Sequence, residues 1–268
     1  MWKKSHKEIV RLSIRKLGLK RNEFTATLLR YIDEPDRIRR RRKRQRYLPH
    51  HAGRQQDIIE YILSARIKFL NGDLKSAGRS LAWALHLIHD HCIEKNRHDE
   101  LERKIAKINM NKEYRNVQIN PLKFERFTDL KTYIYHNVAP KENPEDSILA
   151  ALNHTVSVIC SVVSEKRDPP EDILRKYEEC LKLFYAERRK LRRLGLLNFT
   201  LSNFAFLFIT SIISTLMKAD YFSLLMFLGF FIEPIIVLVS FGRENKYEKP
   251  LRELENEIAW HSGKYPPK

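Results

Sequence analysis

Glycine is scarce in this chain, eight in 268 residues, and no internal repeat is present. Long stretches of Leu, Ile, Lys, Arg and Glu place apolar residues three or four apart instead, which argues against sheet and predicts an all-α fold. Cysteine is scarcer still. Cys92, Cys160 and Cys180 lie far apart, are odd in number and form no Cys-x-x-Cys pair. That argues against a disulfide framework or a thiolate zinc site and leaves idle thiols in a reducing compartment. Acidic residues are in deficit, 33 against 50 Lys and Arg, for a net charge of +17. Such a surface attracts anions: nucleic acid, lipid headgroups or a phosphate-bearing substrate. The opening "MWKKSHKEIVRLSIRKLG" has no apolar core of the kind a secretory signal needs, so no cleaved leader is expected.

What the chain does have is two uncharged or nearly uncharged runs near its end. Residues 196–217, "LLNFTLSNFAFLFITSIISTLM", and 221–241, "YFSLLMFLGFFIEPIIVLVSF", are each about long enough to cross a hydrocarbon core. Only "KAD" separates them, so the expectation is a two-helix transmembrane hairpin. Arg188, Arg189, Lys190, Arg192 and Arg193 precede it, and Arg243, Lys246, Lys249 and Arg252 follow it. Positive flanks favour the cytosolic side, which predicts an integral membrane protein with both termini and the main domain cytoplasmic. Glu233, beside Pro234, falls in mid-span, where an ionisable side chain is either a functional group or a neutral partner for carbonyls freed by the proline.

Helices are predicted over 4–17, 22–32, 52–70, 73–91, 97–108, 123–136, 145–164 and 170–193. Asn71-Gly72 ends one of them and Asp73 can cap the next, while "DPPED" at 168–172 reads as a stop followed by a start. The domain scheme that follows is a helical metal-binding domain over 1–165, a basic juxtamembrane helix over 166–195, the hairpin over 196–241 and a cytosolic tail over 242–268. In that tail Leu251, Leu254 and Ile258 share one helical face. The run "RIRRRRKRQR" at 37–46 reads three ways: a solvated loop, a clamp for anionic headgroups at about 1 kcal/mol per residue, or a nucleic-acid contact.

Metal chemistry is suggested by histidines and carboxylates at ligand spacing. "GRSLAWALHLIHDHC" sets His86 and Asp90 four apart on one helix face, and "RHDELERKI" does the same with His98 and Glu102. Asp36 follows a proline in "EPDRI", His50 and His51 precede a helix in "YLPHHAGRQQD", and His6 lies near the start of the first helix. Imidazoles mixed with carboxylates and lacking thiolates suit catalytic Zn2+, and ligand type alone leaves Mn2+ and Fe2+ open. His89 and His91 flank Asp90 but are expected to point elsewhere, at the surface or in support behind the ligands, and His136 and His154 have no partner at ligand spacing, so core or surface roles are expected for them.

In order, these segments resemble the zinc-dependent phospholipase C superfamily, which includes the single-strand-specific zinc nucleases. An early helical His, a Pro-Asp, a His before a helix, an "alHyxxD"-like helix and later His and acidic ligands appear over residues 5–108. The resemblance implies a phospholipase C-like helical core in which His86 and Asp90 are central ligands, Asp90 bridging two ions. It implies His50 or His51 in the first site, His51 being preferred because it stands nearer the helix, Asp36 as ligand or general base, His6 in another site, and His98 and Glu102 as the later ligands. Two or three Zn2+ ions would be expected. His98 stands two positions later than in the family, and Trp2 follows Met1 where secreted relatives use an N-terminal tryptophan.

The implied function is a membrane-anchored, metal-dependent phosphodiesterase acting on a phospholipid or lipid-linked phosphoester, with membrane lipids and their anionic headgroups as partners. A zinc-dependent nuclease with nucleic acid as partner, and an inactive membrane scaffold retaining the fold, are the alternatives.

Overall fold

The computed structural model describes residues 3–35, 55–216 and 245–267. Among them the regular elements are helices, apart from an isolated bridge between Ile93 and Lys141, in agreement with the all-α expectation. In chain order they are α1 (Lys3–Lys16), α2 (Glu23–Tyr31), α3 (Gln55–Leu70), α4 (Leu74–His91), a single 3-10 turn (Lys95–Arg97), α5 (His98–Ile105), α6 (Met110–Glu113), α7 (Phe127–Asn137), α8 (Pro144–Val162), α9 (Glu171–Leu216) and α10 (Glu248–Ser262).

Local chemistry accounts for the boundaries. Asn22 caps α2 by accepting from Thr25 N while the Thr25 hydroxyl receives the Asn22 N–H, a reciprocal pair that satisfies two otherwise orphaned donors. Gly72 takes φ +81° to end α3, and Asp73 accepts from Ser76 N to start α4, as the sequence predicts. Asn143 caps α8 with Pro144 in its first turn.

The chain divides into two compact units: residues 1–169 with 256–268, and residues 170–255. In the first, α3 and α4 form a tight helical hairpin against which α2 and α8 pack, and α1 lies on α8. A Cβ at Gly78 of α4 would sit 2.6 Å from the Phe24 carbonyl oxygen, so this glycine sets how closely α2 approaches. Ile58, Ile62, Leu81, Leu85, Ile88, Leu152 and Ile159 fill the interior. Trp260, from the far end of the chain, is buried among them.

In the second unit, α9 is one continuous helix of 46 residues. No helix boundary falls at 195–196, where the domain scheme placed one: Gly195 is the sole poor helix former in "LRRLGLLNF", and one glycine costs only about 1 kcal/mol. Asn245 donates to the Phe184 carbonyl at 2.9 Å, and the Cys180 thiol faces the Tyr247 carbonyl, so the residues leading into α10 lie on α9.

Among the described residues no helix is long and apolar enough to cross a membrane. The predicted span 221–241, including Glu233, lies outside the described residues, as do the basic tract 37–46 and His50. The transmembrane hairpin is therefore not part of the observed architecture.

Candidate metal centre

Two helices supply the centre. On α1, His6, Ile9, Val10 and Ser13 occupy the inward stripe at three-to-four spacing, and all are buried. On α4 every residue from Ala84 to Asp90 is buried, so the last two turns are surrounded and both the His86/Asp90 face and His89 point into protein. His6, His86 and Asp90 converge: one ligand atom from each lies within 4.8 Å of the others. His6 Nε2 is 3.7 Å from Asp90 Oδ1, His86 Nε2 is 3.4 Å from Asp90 Oδ2, and the His6 and His86 ring centroids are 4.5 Å apart.

Hydrogen bonding assigns the ring protons. His86 Nδ1 lies 3.0 Å from the Ile32 carbonyl, which only accepts, so Nδ1 carries a proton and Nε2 faces Asp90. The Thr155 hydroxyl donates to the Ala151 carbonyl at 2.7 Å and so accepts from His89 Nε2–H at 2.8 Å. His89 is wholly buried, and its ring nitrogens face only that hydroxyl and another imidazole. Burial, with neighbouring His86 and His154, pulls its pKa down to about 3, and the ring is neutral at physiological pH. Its Nδ1 is then an acceptor and takes the Nδ1–H of His6 at 2.9 Å, which turns His6 Nε2 toward Asp90.

Two imidazole nitrogens and a carboxylate thus face one point in a protein interior. Like-signed electron density so arranged favours a cation or a proton between them, and N2O donors of this kind suit Zn2+, Mn2+ or Fe2+. Two carboxylates follow the Ile32 carbonyl in the chain, Asp33 buried and Glu34 half-buried. Asp33, next to the Ile32 carbonyl that orients His86, accepts an ion pair from Lys7 at 3.1 Å. Glu34 receives both Arg79 nitrogens at 2.6 and 2.8 Å and the Trp83 indole N–H at 2.8 Å.

Of the predicted ligands, the structure thus brings His6, His86 and Asp90 together. Asp36 and His51 lie outside the described residues, and so does the side chain of His98, whose backbone begins α5. Glu102 is not in the group: Leu101 and Ile105 occupy the inward stripe of α5, which turns Glu102 to its flank, half-buried. Of the two roles expected for His89, surface or support behind the ligands, the structure shows the second: it stands outside the converging group and its ring meets His6 Nδ1 at 2.9 Å.

His154 is the core histidine expected: it meets the Tyr133 hydroxyl at 2.6 Å, and burial first, Lys141 second, lowers its pKa to about 4. His136 is exposed, and His91 bonds the Leu87 carbonyl within its own helix. Asp33 and Thr155 carried no spacing signal. His89 did, standing three residues after His86 in "HLIHDH". No family model, no curated protein and no solved structure matches this chain.

Proposed function

We propose that this protein is a metal-dependent phosphodiesterase of the phospholipase C-like type, anchored at a membrane and acting on a phospholipid or lipid-linked phosphoester. The observation that carries the reading is the convergence of His6, His86 and Asp90 from two distant parts of the sequence. A divalent ion held there would lower the pKa of a water toward neutrality and polarise a phosphoryl oxygen. Asp90 lies between the two imidazoles and would supply charge to the ion. His6 and His86, their other nitrogens tied to His89 and the Ile32 carbonyl, would supply oriented lone pairs. His51, His98 and Asp36 complete the ligand set in this proposal, with Asp36 as general base.

Membrane anchoring is supported by the uncharged runs at 196–217 and 221–241. It is also supported by the large apolar side chains Leu197, Leu201, Phe204 and Phe208, all more than half exposed on α9. Arg188, Arg189, Lys190, Arg192 and Arg193 just before them suit anionic headgroups, and their excess over the intervening turn puts the metal domain and both termini on the cytosolic side.

A second reading, a scaffold in which the ion has only a structural role, is favoured by one observation: all three converging groups are buried. One experiment separates the readings. The full chain is purified in detergent, its metal measured by elemental analysis, and a generic phosphodiester, phospholipid vesicles and single-stranded DNA are offered to it and to Asp90→Asn. Phospholipid turnover lost in Asp90→Asn is expected. Bound metal without turnover of any substrate would establish the scaffold, and cleavage of DNA alone would establish a nuclease. Absence of metal from the wild-type protein would sink the metal centre itself.

A further inference from the structure

Ala151 and Thr155 on α8, His89 on α4 and His6 on α1 form a hydrogen-bonded chain that runs across three helices and ends at the converging centre. We propose that Thr155 and His89 are positioning residues that hold the Nδ1–H of His6 and so aim its Nε2 at Asp90 and His86.

The direction of every bond is set from the far end. The Ala151 carbonyl can only accept, so the Thr155 hydroxyl must spend its proton there, at 2.7 Å. The hydroxyl oxygen then offers lone pairs alone to His89 Nε2 at 2.8 Å, and that nitrogen must donate. A second proton on His89 would place a cation in a wholly buried site whose ring partners are a hydroxyl and another imidazole, with no acid among them. His89 Nδ1 is therefore an acceptor, and His6 Nδ1, 2.9 Å away, must carry the proton.

The His6 and His89 rings lie nearly parallel, 8° between planes with centroids 5.1 Å apart. That near-parallel stacking fixes ring rotation as well as proton position. In water the two tautomers of a neutral imidazole interconvert freely, and only one of them points a lone pair at the carboxylate. The chain removes that choice before any ligand arrives. His86 is served by a simpler device, the single carbonyl of Ile32, because it sits on the same helix as Asp90 and needs no long-range alignment.

The effect on ion affinity rests on the metal reading above, whereas the effect on the tautomer does not, so the two are read separately. The full chain, labelled with 15N at histidine and treated with a chelator, is studied in detergent by two-bond proton–nitrogen correlation spectra, with His6 assigned from a His6→Gln spectrum. Wild type should show His6 as the Nδ1–H form. Thr155→Val, which keeps the shape and loses the acceptor, should release His6 into a mixture, and Thr155→Ser should restore the single form. Zn2+ affinity, measured by competition with a chelating dye, should fall about 10- to 100-fold in Thr155→Val and recover in Thr155→Ser.

Should Thr155→Val fail to fold, His89→Phe removes the acceptor facing His6 and must release the tautomer in the same way. A wild-type His6 found as Nε2–H, or a folded Thr155→Val or His89→Phe with the wild-type pattern, overturns the proposal. If wild type binds no Zn2+ yet shows the stated pattern and its loss in Thr155→Val, the positioning role stands and the metal reading falls. If wild type binds Zn2+ and the pattern ignores both variants, the metal centre stands and the positioning role falls.

Discussion

Two buried polar clusters lie in the first unit, and they are built on opposite plans. Around Arg66 the partners are backbone: its guanidinium donates to the carbonyls of Trp260, Val162, Ser164 and Glu165. Nearby in sequence, the Glu257 carboxylate accepts the backbone N–H groups of Phe127 and Thr128 at 2.9 and 3.0 Å, capping α7. Each charge there answers a helix end, where four donors or acceptors would otherwise be left over. At the His6–His86–Asp90 centre the side chains answer one another, and the backbone serves only to orient them. A cluster that spends its charges on helix ends serves the fold, while one that turns lone pairs inward toward a common point can receive something.

The comparison is broken most directly at Arg66. Arg66→Met would leave several buried carbonyls without a donor, and a loss of about 3 to 5 kcal/mol of stability is expected, read from chemical denaturation. Burial lowers the Arg66 pKa to about 10, so the guanidinium stays charged at neutral pH and the loss includes charge-assisted bonds. Asp90→Asn should act the other way round. Zn2+ affinity should drop by at least about 100-fold, beyond the effect of an orienting partner, while the metal-free protein unfolds at nearly the wild-type denaturant concentration. Comparable destabilisation by both variants would erase the distinction between the clusters.

Smaller effects sharpen it. Glu257→Gln keeps one acceptor but loses the charge at the start of α7, and about 1 kcal/mol is expected from the shift in denaturation midpoint, with metal affinity unchanged. His154 is probed by pH alone, in steps that are small over any one pH unit. Its folded pKa of about 4 lies below the free value of 6.5, so between these limits the unfolded chain takes up a proton that the folded one refuses. Stability should therefore fall as pH drops below about 6.5 and stop falling near about 4, by roughly 1 kcal/mol per pH unit from this group. His154→Gln should flatten that part of the urea-midpoint profile.

Much of the helical frame can be read from the sequence because its signals are local. Asp73 after Asn71-Gly72, Asn143-Pro144 and the apolar spacing of α4 each report on a few neighbouring residues, and the helices start and stop close to where these features stand. The His86/Asp90 pair is legible for the same reason, since i and i+4 share a helix face. His6 could be placed only by the order of motifs, because its approach to α4 depends on the packing of α1. Thr155 was invisible: a threonine inside an apolar helix looks like any small residue filling a core, and its role is set by the His89 ring across the helix interface. For His89 the sequence leaves open whether it meets solvent or supports a ligand, and the choice is made by the enclosure of the end of α4.

One further consequence belongs to Trp260. The slot it fills is lined by residues made early in synthesis, among them Phe127, whose ring lies 5.8 Å from its own, and Arg66, whose guanidinium stacks 5.6 Å from it. All of Pro170–Glu255 must be translated before that indole exists. The nascent first unit therefore waits with an open seam, its Arg66 lacking one of four acceptors, until the late segment arrives to close it. Ribosome-bound chains ending before residue 256 should be cut readily by protease within the first unit, and chains extended well past residue 260 should resist.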